Sequence, residues 1–549
     1  MFKKRFGDYS LKHFQRDLTA GLIVGLVALP LAMAFAIASG VEPENGLYTA
    51  IVAGILISLL GGSRFQIGGP TGAFVPLLLS IVTIYGFDNL LVAGFLAGCF
   101  LVLMGLLKLG SLIDYVPRPV VIGFTAGIAV IIFVGQIANF LGLTGVKSHP
   151  EFLDNMGELI RHLDTVNVYA VITAVLGLTI QLMTSRWLPK IPGPLAGLVV
   201  SSLAAYLLYP GQVRTIGSAY GQLTASLPVP KLPDLSLDTV QLMLVPALLI
   251  AALGGIESLL SATVADSMTG DRHHSNRELI GQGIANIAAP LFGGIPATGA
   301  IARTATNIRS GATSRLSGVI HGLVVLLIMV VLAPLASHIP LASMAPILMV
   351  VAWNMSERKR FVYMLRWRSG ESVVLVVTFL ATVLVDLTTG VGVGMGLAFV
   401  HFIHKMSRLD ISVHPASDFR RNAVLVCIMK GVLFFGAARR MERQMISALA
   451  DKPKFVMLNM AKVMYMDTTG VAYLSEVILH VLRYGGSIYL IGAQAQPLET
   501  LIKSGLGNRE GIHHCHDLTD ALRKATSSSH EQRPASQQHV MLSAEELAI

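Results

Sequence analysis

The chain has 549 residues, of which 53% are hydrophobic and 13% charged, with a formal net charge of +9 and a mean hydropathy of +0.66. Soluble domains carry about 25% charged residues, so this composition excludes a soluble globular protein and points to many membrane-buried spans. The basic excess would suit nucleic acid, but Lys and Arg fall mostly in short loops between apolar runs, as membrane orientation requires, and that partner is set aside.

At the start, Lys3, Lys4, Arg5, Lys12 and Arg16 lead into a full-length apolar span that contains Pro30. No short apolar core with a cleavage site precedes it, so the N-terminus is expected to be retained and cytoplasmic. Apolar segments follow at 17–38, 46–61, 70–85, 90–107, 118–138, 168–186, 194–209, 242–263, 278–292, 298–309, 316–334, 341–355, 371–388 and 390–407. That makes fourteen, and 70–85 and 298–309 read as half-helices. With the N-terminus inside, 19 basic residues fall on the inner side, and only Lys147, Arg161, Arg214 and Lys231 on the outer. Dividing the spans at the outer loop 210–241 gives two sets of seven. An odd repeat inserts its second copy upside down, so a 7+7 inverted repeat is expected.

Two interrupted stretches carry the chemistry. Ile67 to Pro76 reads IGGPTGAFVP, and Gly293 to Gly311 reads GGIPATGAIARTATNIRSG. Gly293, Gly294, Pro296 and Gly299 discourage helix, while Ala300 to Ile308 favour it, so a half-helix is expected to begin near Thr298 within the membrane. Free N–H groups and the helix dipole at such an end attract an anion, and Arg303 adds a full charge one turn on. Thr71-Gly72-Ala73 repeats Thr298-Gly299-Ala300 at an offset of 227 residues, so these six and Arg303 are the candidate substrate-binding residues. Gly-rich packing helices share some of this composition, whereas paired interrupted spans mark an inverted-repeat transporter.

Glu257, in ALGGIESLLSATVAD, is an acid at membrane depth, where a carboxylate is costly unless functional or paired; at the same offset the first copy has Pro30. Hydrogen bonding to Ser258 and Ser261 for packing alone is the competing reading. Asp386, Gln136 and Asn139 lie near an interface and receive no role.

After about Leu409 the composition changes. Strands are predicted at Val424 to Phe435, Phe455 to Asn459 and Ser487 to Ile491, with helices at Arg440 to Ala450 and Thr469 to Arg483. The expected division is a membrane domain over 1–408, a small cytoplasmic α/β domain over 415–525 and a disordered tail over 526–549. The cluster His513, His514, Cys515 and His516 lacks a second ligand pair at zinc-like spacing, so no metal is expected, nor any cofactor. Cys99, Cys427 and Cys515 form no disulfide framework.

The long stretches LPLAMAFAIASGVEPENGLYTAIVAG, GGSRFQIGGPTGAF and GGIESLLSATVADSMTG resemble the SulP family of anion permeases, of the solute carrier 26 type, across nearly the whole chain. The C-terminal part resembles a STAS domain, with Met466-Asp467-Thr468-Thr469-Gly470 where related anti-sigma-factor antagonists carry Asp-Ser-x-Gly. The resemblance implies core and gate bundles, homodimers, elevator-like movement of the core and multi-pass insertion in a cell membrane, here a bacterial inner membrane with both termini cytoplasmic. It places Arg303 beside the anion site, Thr71 at the tip of the third helix, Glu257 at an acid that holds sodium in the bicarbonate branch, and Thr468 at a phosphorylated position. Glu stands here for that branch's Asp, and Ile301 for a coordinating Thr, which removes an oxygen a hard cation needs. Coupling by a proton through Glu257, with Ser261 beside it, is therefore expected over sodium. The expected function is proton-coupled import of sulfate or a related inorganic anion. A C4-dicarboxylate symporter, a sodium-coupled bicarbonate transporter, a passive channel or exchanger, and a sensor whose output is the STAS domain are the alternatives. No Walker motif, metal-ligand set or nucleophile–base arrangement suggests an enzyme.

Overall fold

The structure, a computed structural model, describes residues 10–147, 149, 151–188, 191–221, 229–407, 410–415, 424–507 and 509–530. Every predicted span has its helix. The first repeat holds α1 (Leu11–Ala38), α2 (Pro43–Leu60), β1 (Gly68–Gly69), α3 (Val75–Tyr85, after a 3-10 turn at Gly72–Phe74), α4 (Phe87–Leu106), α5 (Arg118–Gly135), α6 (Val168–Trp187) and α7 (Gly193–Leu208). The second holds α8 (Leu237–Thr269), α9 (Ser275–Leu291), β2 (Thr298–Gly299), α10 (Ile301–Arg309), α11 (Leu316–Ala336), α12 (Leu341–Met355), α13 (Gly370–Leu384) and α14 (Leu387–Met406). Among the described residues, seven of these helices are long and apolar enough to cross a membrane unaided. Leu203, Leu207, Leu327 and Val331 are exposed on the bundle surface, where lipid replaces water as the surrounding medium.

Hydrogen bonds between loops sort the helix ends as the charge asymmetry predicts. At one end Asp17 accepts from Thr313 N and Ser314 N, and Gly110 N donates to Asn276 Oδ1 at 2.9 Å. At the other end Leu341 N donates to Arg214 O at 3.0 Å, and Asn167 Nδ2 to Gln212 O at 2.7 Å. Inner-assigned loops thus meet inner-assigned loops, and outer meet outer. Inside the bundle α4 and α9 touch backbone to backbone: a Cβ on Gly98 would lie 2.6 Å from Gly283 O, and one on Gly283 the same distance from Gly98 O. Larger residues there would force these helices apart.

The half-helix expected near Thr298 starts three residues later, at Ile301. Thr298 and Gly299 are held extended because they pair with Gly69 and Gly68, and Ala300 caps the helix. The pairing also joins the two copies directly. It sets Gly68 against Gly299 and Gly69 against Thr298, so the two interrupted stretches meet antiparallel.

The chain falls into two compact units, 1–397 and 398–549. In the second, β3 (Asp410–Pro415), β4 (Val424–Leu433), β5 (Phe455–Met466), β6 (Ser487–Ile491) and β7 (Ile512–Cys515) form one sheet in chain order. β3 is antiparallel to β4, and the remaining pairs are parallel. Helices α15 (Phe435–Ala448), α16 (Thr468–Arg483), α17 (Ala495–Lys503) and α18 (Leu518–His530) connect and follow the strands. Both sheet faces are covered: Leu425, Cys427 and Met429 pack with α15 and α16, whereas Val424 and Val426 pack with Ala521 and Ala525 of α18. Parallel strands buried on both faces read as nearly unbroken apolar runs.

The histidine cluster is the edge strand β7, whose side chains alternate. His513 stacks on Tyr489 at 4.9 Å between ring centroids, His514 Nε2 is 2.6 Å from Gly507 O, and Cys515 is buried. The predicted tail is helical as far as His530, and its remainder, 531–549, lies outside the described residues.

Candidate functional site

The two-residue strands β1 and β2 sit at the centre of the first unit, with Pro70 following one and Pro296 close before the other. Proline cannot donate to a ladder, which keeps the pairing short. From this crossing α3 and α10 lead away. The first helical bond of α10 is Thr304 N to Ala300 O at 2.8 Å, so the N–H groups of Ile301, Ala302 and Arg303 stand outside the helix ladder. The turn before α3 opens with Phe74 N to Thr71 O at 3.3 Å, leaving the N–H groups of Gly72 and Ala73 likewise. Two partly positive helix ends therefore start from one place.

Arg303 is only 2% exposed. Its Nη2 donates to Pro70 O, across the crossing, and Nη1 is buried with no partner among the described residues. Gly69 makes room for it. A Cβ there would lie 2.7 Å from Nη1, and the Gly69 φ of +145° is one that side chains rarely adopt. Facing this cation, Glu257 of α8 is half-buried and its Oε2 accepts from Thr71 Oγ1 at 2.9 Å. Glu257 and Arg303 form no ion pair within 4 Å among the described residues. One cation, one acid, one hydroxyl and two helix ends thus converge, a donor set suited to an oxyanion.

The other predicted residues are placed as follows. Gly72 faces Phe35, Ile132 and Met355, and Ala73 is buried in the turn. The Thr298 hydroxyl donates to Gly254 O at 3.0 Å, which ties β2 to α8. The Gly299 α-carbon lies against the Gln66 amide, and Ala300 N donates to Ile67 O at 2.8 Å. Ser261 is fully buried and turns its hydroxyl to Thr304 Oγ1 at 3.3 Å. Thr71, Glu257 and Arg303 are therefore brought together, while the hydroxyls of Thr298 and Ser261 fasten the elements around them. In the second unit Thr468 is exposed in the first turn of α16, whose cap Asp467 accepts from Gly470 N at 2.7 Å.

Residues 14–378 match the model of the sulfate permease family and residues 417–519 that of the STAS domain. The chain belongs to the sulfate permease family. It is an anion transporter and not an enzyme. It is 54% identical over 526 residues to the "Putative sulfate transporter YvdB" of Bacillus subtilis, covering 95% of this chain and 99% of the relative. It is 30% identical over 539 residues to the bicarbonate transporter BicA of Picosynechococcus sp., covering 91% and 92%. The solved structure of SLC26A9 superposes with a TM-score of 0.84 at 17% identity, over 96% of this chain and 92% of that one, so the fold is shared.

Two features of this sulfate permease family site escape a reading of the sequence. Glu278 of α9 is fully buried, and its carboxylate accepts from Gly62 N at 2.7 Å, Ser63 N at 3.0 Å, Ser258 Oγ and Gln282 Nε2, both at 3.1 Å. Asn286, one turn beyond Gln282, holds Ala297 through both its N–H and C=O, at 2.8 Å each. The signal was Glu278, Gln282 and Asn286 at a spacing of four, a polar stripe in an apolar span. The second is His321 of α11, fully buried beside Gly54, with neither ring nitrogen hydrogen-bonded among the described residues. A single histidine in an apolar run gives no sign of its neighbours.

Proposed function

We propose that the protein is a secondary active transporter that imports a small anion, sulfate or a related inorganic anion first, driven by protons through Glu257. The observation that carries this is the meeting of buried Arg303, with its unpartnered Nη1, and the Glu257–Thr71 hydrogen bond at the ends of two half-helices. An ionised Glu257 repels an incoming anion and holds the Thr71 hydroxyl as donor to itself. A protonated Glu257 removes the repulsion and frees that hydroxyl to turn towards the anion, so proton and substrate favour each other's binding. The states that move are then the empty ionised and the loaded neutral ones. Sulfate is placed first on the 54% identity to a relative named for sulfate. Sodium is disfavoured because Ile301, in the first turn of α10, offers only carbon. We further assign the transporter to a bacterial inner membrane as a homodimer with cytoplasmic termini, and Thr468 as a regulatory site, since a phosphate there would sit at a helix N-terminus.

Uptake of labelled sulfate into proteoliposomes, with a proton gradient or a sodium gradient imposed separately, tests the reading. Accumulation is expected with acid outside and not with sodium alone. Equal uptake with and without a pH gradient contradicts proton coupling, and preference for succinate over sulfate replaces the substrate with a C4-dicarboxylate.

A further inference from the structure

A cavity of about 750 Å³ opens at the end of the bundle opposite the start of α1 and runs along α3, through Ser80, down to Pro76 and Val75 in its first turn. Its floor is therefore only a few residues from Thr71 and Gly72. The charges around it are Lys147, His149, Arg214 and Asp386, and Gln136 and Asn139 add amide groups. The sequence leaves just four basic residues for the outer loops, and two of them, Lys147 and Arg214, line this one cavity. Among the described residues neither side-chain cation, the Lys147 ammonium or the Arg214 guanidinium, has a carboxylate oxygen within 4 Å.

Their backbones are fixed over the opening. Arg214 O accepts from Leu341 N at 3.0 Å, next to a bridge between Thr215 and Pro340, and Lys147 N donates to Glu158 Oε1 at 3.3 Å. His149 faces the same Glu158, at 4.0 Å, which offsets any charge it gains. The one lining carboxylate, Asp386, is occupied by Thr389 N at 2.8 Å and Thr389 Oγ1 at 2.6 Å, where it caps α14. Two side-chain cations without an ion pair, in a low-dielectric cleft, focus field on whatever anion enters it.

We propose that this cavity is an anion-entry site, a weak holding position for small oxyanions ahead of the site between α3 and α10. The inference rests on the transport reading above and adds a second position with its own residues. A dianion gains twice as much from each charge as a monoanion, so sulfate is held in preference to chloride.

Two measurements test it. In the first, initial sulfate uptake is compared between wild type, Lys147→Gln/Arg214→Gln and Lys231→Gln, whose residue lies outside the lining. The double variant is expected to raise KM roughly 5- to 20-fold at low ionic strength with maximal rate unchanged, and the difference should fall below about twofold in high salt. Lys231→Gln should behave as wild type. An unchanged KM at low salt overturns the proposal. The second needs no transport. In a background carrying Ser80→Cys with Cys99 and Cys515 replaced by serine, anionic and cationic methanethiosulfonates are applied and their modification rates compared. Cys427 can stay, since burial pushes its thiol up to about 12. The anionic reagent should be favoured, and the double variant should abolish that advantage. A rate ratio unmoved by the double substitution overturns the entry site even if sulfate is transported. If no sulfate or succinate is transported, the transport reading fails and the labelling ratio still decides the cavity.

Discussion

Arg303 and Glu257 were legible in the sequence for one physical reason: a full charge in an apolar span is too costly to be incidental. What could not be read was how they meet. Arg303 reaches across to Pro70 O, 233 positions away in the chain, and Glu257 reaches Thr71, 186 away. Arg303→Ala should weaken anion binding about 10- to 100-fold, the cost of losing a buried charge-assisted donor, with expression retained. Arg303→Lys should recover part of this, since the charge stays but the planar fork that spans Pro70 O and the site is lost. Titration of purified protein with sulfate by calorimetry checks both, and wild-type affinity in the alanine variant contradicts the placement of the anion. Glu278 makes a different prediction. Glu278→Gln keeps one acceptor oxygen but turns an NH₂ group towards two of the four donors, so unfolding stability should fall by about 2–4 kcal/mol while the pH dependence of uptake in the surviving protein stays that of wild type. Thermal unfolding followed with a transport assay separates the two effects.

At the scale of elements, the broken helices were visible because Gly and Pro cluster where an apolar run should continue, and the repeated Thr-Gly-Ala drew attention to both. Their register was not visible. Pairing of Gly68–Gly69 with Thr298–Gly299 is a long-range choice that local propensity does not encode, and it moved the start of α10 from Thr298 to Ile301. The same pairing makes Gly69 intolerant of change. Gly69→Ala places a methyl 2.7 Å from Arg303 Nη1 in a backbone conformation unfavourable to alanine, at a cost of about 1–3 kcal/mol. Uptake should be lost or severely reduced in a protein that still inserts, and normal uptake would show that Arg303 does not need the strand crossing. The edge strand β7 was missed because four residues are too few to show a period, and the histidine cluster was weighed only as a metal site, which its spacing set aside.

At the scale of the whole molecule, fourteen spans and their alternation followed from hydropathy and from 19 basic residues against 4, because the bilayer imposes length and charge bias on every crossing. The soluble unit was legible through the change in composition after Leu409, though β3 and α17 were not separated from loops. If that unit regulates and does not form the pathway, truncation after Leu409 should leave sulfate affinity within about twofold while changing transport rate or membrane abundance. Loss of binding in a folded truncated protein places part of the site in the soluble unit. Transport against a gradient is the property that joins all three scales, and Glu257→Gln in proteoliposomes tests it most directly. Glutamine mimics the protonated acid, so the variant is predicted to bind sulfate and exchange it across the membrane, but to reach no accumulation when a pH gradient is the sole driving force. Concentration of sulfate by the Glu257→Gln protein under that gradient would contradict proton coupling through this residue.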